Sequence, residues 1–189
     1  SPVDFEIKVD NYYEKYKAEW KIMSDKYKNN IITSYAKGKI YNLGLTAAAI
    51  DFLESRGGIY LVNINHRANN MDCGRYGSNT KSHHYYIGKK DTKVEMIKTC
   101  NRLIEDEDLS FAHMLRTLNI AGERYAKYSG ITKWRKQMNY YNTGRDKYIG
   151  DYYIRAAAVV KLLKEVLPLD QIKLVKQDGK YKGVVEDEM

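Results

Sequence analysis

The sequence predicts a mainly α fold of the α+β type, a helical domain with a small β and loop lobe. Three observations carry this. Apolar residues recur at steps of three and four over residues 10–36, 92–106 and 148–167. Strand-prone runs are few and short: IYLVNI at 59–64, and IKLVKQDGKYKGVV at 172–185. Proline is scarce, 2 in 189 residues, and one of them, Pro168, stops the last helical run.

Taken in order, VDFEIKV (3–9) alternates and reads as a short extended lead-in. Asp10 then caps one amphipathic helix over 10–36, with Tyr13, Tyr16, Trp20, Met23, Tyr27 and Ile31 on one stripe and lysines opposite. Thr46 caps a helix over 47–55 that is apolar nearly all round, which places Glu54 in a deeply buried last turn, where a lone Glu reads first as half of a structural ion pair; Gly57-Gly58 end it. Residues 59–90 read as loop with one hairpin, and HRANN and GSNTKSHH as turn chemistry. Thr92 caps a helix over 92–106. Shorter helices follow at 109–118, at 119–128 and, capped by Thr132, at 134–142 before Gly144. The helix 148–167 is the last. Around Asp178-Gly179 the tail reads as a hairpin, followed by a frayed acidic end, EDEM. The predicted division is 1–42, an N-terminal helix packed on the domain; 43–167, the main domain; and 168–189, a tail.

Composition narrows the classes. Hydrophobic residues make up 43% and charged residues 30%, which suits a folded globule rather than a disordered chain. Aromatic packing falls to 18 Tyr, against 3 Phe and 2 Trp. The formal net charge of +8 points to an anionic partner. No run is long and apolar enough for stable membrane insertion. A start at Ser1 rather than Met is what removal of a leader, propeptide or tag leaves. Cys73 and Cys100 could pair in an oxidising compartment; the simpler reading is two half-buried thiols. No Cys/His spacing suggests a metal, and His83-His84 reads as exposed loop histidines, so neither metal nor cofactor is expected.

Three segments carry a family resemblance. FLES (52–55) is similar to the helix-end Glu-Ser of the lysozyme-like superfamily. DCGRYGSNT (72–80) resembles the D-Y-G-x-F-Q-I-N-S stretch of chicken-type lysozymes and the related stretch of lytic transglycosylases, with Asp72, Gly74, Tyr76, Asn79 and Thr80 in register. The family has Gln where this chain has Gly77, and an apolar residue in place of Arg75. NIAGERYAKY (119–128), Trp134 and YYNTG (140–144) look like the corresponding helix, W and Y-N-x-G of transglycosylase SLT domains. The match spans about residues 43–165.

The resemblance implies cleavage of the β-1,4 bond between N-acetylmuramic acid and N-acetylglucosamine in peptidoglycan, at the cell wall or in the periplasm. Glu54 would be the general acid, kept protonated by its apolar surroundings. In a lytic transglycosylase it works alone. In a muramidase, Asp72, 18 positions on, would be the second carboxylate, ionised among polar groups. Asp72 reads equally well as a loop-capping residue. Tyr141 would orient Glu54, or else simply pack in the core; Ser55 and Asn142 would hold substrate or the loop in place, and Tyr76 and Asn79 would line the cleft. Expected partners are peptidoglycan strands and anionic envelope polymers, with no nucleic acid, and the chain is expected to be a monomer. A non-catalytic wall-binding module is the other class, motivated by Gly77. Nucleic-acid binding, motivated by charge and Tyr alone, ranks last.

Overall fold

The computed structural model describes residues 1–67, 69–81, 92–147 and 150–187. Seven α-helices and five strands lie among them, so the chain is mainly helical with little sheet. It forms two compact units, Ser1–Gly57 with Tyr153–Met189, and Gly58–Tyr152, boundaries that differ from the three-part division read from sequence. His83-His84 and most of KSHHYYIGKK lie outside the described residues, as do the last two residues of EDEM.

The first unit opens with α1 (Pro2–Ile22) rather than an extended lead-in. The Ser1 hydroxyl accepts the Asp4 N–H at 3.2 Å, and Pro2 occupies the first turn, where its missing N–H costs nothing. The alternation of 3–9 buries no strand face: Val3 and Ile7 are both exposed. Asp10 is therefore interior to a helix, not a cap, and its carboxylate accepts Lys161 Nζ at 2.8 Å. The stripe expected from a single helix over 10–36 is split. Met23 turns extended (φ −66°, ψ 143°), and α2 (Asp25–Lys39) starts after Ser24. Tyr13, Tyr16 and Trp20 are buried from α1, and Ile31, Ile32, Tyr35 and Ala36 from α2.

Helix α3 (Gly44–Ser55) starts two residues before Thr46, which is inside it rather than at its cap; Leu43 occupies that position. A Cβ on Gly38 of α2 would lie 2.6 Å from the Leu43 carbonyl oxygen, so only glycine allows the two chains this close. Ala47, Ala48, Ala49, Ile50 and Phe52 are fully buried. Helix α7 (Tyr152–Val166) supplies Ala156, Ala158, Val159, Leu162 and Leu163 to the core. It is tied to α1 by a hydrogen bond from the Tyr13 hydroxyl to Glu165 and by Lys17 Nζ at 3.1 Å from the same carboxylate. After Pro168 and a 3₁₀ turn at Leu169–Gln171, β4 (Ile172–Gln177) and β5 (Lys180–Val185) form the expected antiparallel hairpin. Asp178 (φ 52°) and Gly179 (φ 76°) make its two-residue turn. The hairpin sits on α2: the Gly183 N–H donates to Thr33 Oγ1 at 3.0 Å.

The second unit holds a three-stranded antiparallel sheet, β1 (Val62–Asn65), β2 (Asn70–Cys73) and β3 (Ser78–Asn79), in that spatial order. The β1–β2 hairpin was expected; the strand at Ser78-Asn79, read as turn chemistry, was not. Helix α4 (Lys93–Glu105) starts where expected, with Thr92 Oγ1 accepting the Glu95 N–H at 3.1 Å. The two helices predicted over 109–128 are one, α5 (Glu107–Arg124), capped by Asp106. Helix α6 (Gly130–Thr143) likewise begins before Thr132 and ends on Gly144 at φ 74°. Cys73 and Cys100 form a disulfide between β2 and α4, not a pair of free thiols. Leu103 is buried beside it, and Met71, Ile104 and Leu109 pack around them.

Candidate active-site residues

In the first unit the local sequence ends α3 just after Glu54. Arg56 takes left-handed geometry (φ 52°, ψ 45°), and Gly57 (φ 74°) and Gly58 (φ 105°) continue the turn. The Arg56 side chain folds back on the helix it terminates. Its Nη1 donates to the Phe52 and Leu53 carbonyls at 2.8 and 3.1 Å, and the guanidinium lies 4.6 Å from the Phe52 ring centre. A cation on the last carbonyls complements the negative end of the helix dipole. Glu19 balances that charge at 3.4 Å.

Glu54 is half-buried, not deeply buried, because α3 is sealed on the face that carries its alanines and open at Leu53 and Glu54. Ser55 is fully buried, which removes it from direct contact with substrate. Its hydroxyl donates to Asp51 Oδ1 at 3.1 Å, and Ser34 of α2 donates to Asp51 Oδ2 at 2.6 Å. The Ser55 hydroxyl thus ties the end of α3 to its own preceding turn. Asp51, Ser34 and Arg56 were missed at sequence level. An acid inside the run AAAIDFL is the signal that could have singled out Asp51.

In the second unit, register decides what the sheet presents. Asn63 pairs with Asp72 and Asp72 with Asn79; Asn65 pairs with Asn70. Directly paired residues share a face, and so do residues two apart. One face therefore carries four asparagines around Asp72, while Val62, Ile64, Met71, Cys73 and Ser78 belong to the other. Asn79 Nδ2 donates to Asp72 Oδ1 at 2.9 Å. Burial raises the Asp72 carboxyl above its ordinary value of 3.8, with the Asn79 bond pulling the other way.

Tyr76, expected in a cleft, has its ring in the core: it is 3% exposed and stands edge-on to Phe111, ring centres 5.6 Å apart. Its backbone does the work instead. The Tyr141 hydroxyl of α6 donates to the Tyr76 carbonyl oxygen at 2.5 Å. A hydroxyl has one proton, so Tyr141 retains only acceptor capacity for any other group. Asn142, next on α6, is exposed. Arg75, where the family is apolar, is itself buried and pairs with Glu107 at 3.3 Å. Gly74 is positive-φ (82°), and a Cβ there would meet Ser110 Oγ at 2.7 Å and the Leu103 carbonyl oxygen at 2.8 Å. The turn that carries Tyr76 is thereby seated against α4 and α5.

Asp72→Asn separates carboxylate charge from shape. A folded carboxyl with a raised pKa keeps its proton while the unfolded one ionises first, so its stability contribution is complete below the ordinary carboxylate range and falls as pH rises through the folded pKa. The amide variant, which can still accept from Asn79, is expected to match or exceed wild-type stability at pH 7 and to lose that advantage below about pH 4. Chemical denaturation at the two pH values checks it; a variant destabilised at pH 7 contradicts the burial argument.

Comparison with protein-family models, with curated proteins and with solved structures finds no match in any of the three. Among the described residues no cluster of His, Cys, Asp and Glu has the makings of a metal site.

Proposed function

We propose that this chain cleaves the β-1,4 bond between N-acetylmuramic acid and N-acetylglucosamine in peptidoglycan, as a lytic transglycosylase with Glu54 as its acid. The observation that carries the reading is the Tyr141–Tyr76 hydrogen bond, which spans 65 positions and joins two of the three resembling segments. The small sheet that follows the Glu54 helix in the chain, and the helices after it, agree with the order the resemblance implies.

Glu54 gives its proton to the bridging oxygen as that bond breaks and the muramic acid ring takes on oxocarbenium character. The 6-hydroxyl of the same sugar then bonds to its anomeric carbon, and Glu54 takes the hydroxyl proton back. No water is consumed, and the product ends in a 1,6-anhydro ring. In a hydrolytic muramidase Asp72 would instead be the second carboxylate, ionised to stabilise the cation or attack it. In either reading Asn79 and Asn142 are the substrate-contacting residues that the resemblance implies. The Cys73–Cys100 bridge supports work in an oxidising compartment, such as the periplasm or the wall.

Digestion of purified peptidoglycan, followed by mass spectrometry of the released fragments, tests the proposal. Anhydro ends are the expected result. Reducing ends would transfer the reaction to a hydrolytic muramidase. Tight binding to the insoluble wall with no release would make the chain a non-catalytic wall-binding module.

A further inference from the structure

Residues 116–147 carry eight Lys and Arg against two acids, Glu123 and Asp146, in a chain whose whole formal net charge is +8. The positive charge is therefore concentrated where α5 ends and α6 runs, within the second unit. It is also organised. Lys136 Nζ, paired with Asp146 at 2.5 Å, lies 4.5 Å from the Tyr128 ring centre and Lys127 Nζ 5.1 Å from the same ring, while the Arg124 guanidinium lies 5.6 Å from the Tyr140 ring. Tyr125 links the rings, 6.5 Å from Tyr128 and 6.3 Å from Tyr140. Arg124, Lys127, Arg135, Arg145 and Lys147 are exposed.

We propose that this face is a docking surface for a glycan polymer that carries phosphate groups. Arg124 and Lys127, held over rings, have part of their side-chain freedom already lost, so less is lost on binding. Arginine forks match phosphate oxygens in pairs. A disulfide-bonded chain belongs to a compartment where nucleic acid is not the resident polyanion, which favours the glycan. Docking on this face involves no chemistry at Glu54.

Binding of the intact chain to phosphomannan, to unphosphorylated mannan and to a single-stranded DNA oligonucleotide tests the assignment. None of these probes contains the peptidoglycan bond, so failure here leaves the proposed reaction untouched, and the reverse. Phosphomannan is expected to bind at least about tenfold tighter than mannan, and more weakly as salt rises. Replacing Arg124, Lys127, Arg135 and Arg145 together by Gln is expected to weaken binding about tenfold, and each single change about twofold. The single variants decide the matter if the fourfold variant does not fold. Removing four cations of the first unit, Lys15, Lys21, Lys26 and Lys176, is expected to cost less than about threefold. Equal losses in the two fourfold sets, equal affinity for both mannans, or tighter binding to DNA than to phosphomannan would each overturn the assignment.

Discussion

Glu54→Gln is expected to lower glycan cleavage by roughly 10²- to 10⁴-fold while leaving the fold intact. Gln has the shape of Glu but no proton to give to a departing sugar oxygen. Helix α3 is held by Ala47, Ala48, Ala49, Ile50 and Phe52, all fully buried, and by the Arg56 guanidinium on its last carbonyls. Melting temperature and circular dichroism should therefore match wild type. Clearing of Gram-negative cells stripped of their outer membrane, and release of soluble fragments from purified wall, should both vanish. Glu14→Gln, an exposed acid on α1, controls for loss of one negative charge and should clear normally. Undiminished clearing by the Glu54 variant would strip that residue of its assigned part.

The second large effect concerns stability. Replacing both Cys73 and Cys100 by Ala is expected to cost about 3.5 kcal/mol, from the loop of 27 residues that the bridge closes. For a chain of this size that corresponds to a fall of about 7–14 °C in Tm. The loss should be felt at the sheet, because the bridge anchors β2, and β2 carries Asp72. Cys73 is fully buried and Cys100 nearly so, so a mild reductant applied to the folded protein should act slowly. A thermal melt of the double variant against the oxidised protein measures the effect. Coincident melting curves would mean the bridge does not constrain the fold.

What could be read in advance follows the range of the interactions. Thr92 as a cap, Gly144 as a stop and Asp178-Gly179 as a turn are local signals, and each falls where the residues put it. The start of α1 was also local, written in Ser1-Pro2, and the alternation of the next seven residues outweighed it. The break at Met23-Ser24 has no glycine or proline to announce it, and the apolar stripe runs across it without interruption. Tertiary placement was harder still. Tyr76 and Ser55 look like surface groups in a motif, yet the ring of one packs on Phe111 and the hydroxyl of the other is spent on Asp51. Asn63 joins Asp72 only through strand register, and one residue of slip would turn it to the opposite face. The Cys73–Cys100 bridge depends on bringing β2 to α4, which no short-range pattern encodes.

The first unit is assembled from both ends of the chain, with residues 58–152 forming an excursion between its halves. During synthesis the excursion has all of its own residues first and can fold on the ribosome as a contiguous piece. Residues 1–57 must wait for α7 and the β4–β5 hairpin to emerge before their apolar faces are covered. In the interval the exposed alanine-rich helix is the segment a chaperone would have to shield. A chain truncated after residue 152 should therefore protect the excursion from protease and leave residues 1–57 open to cleavage.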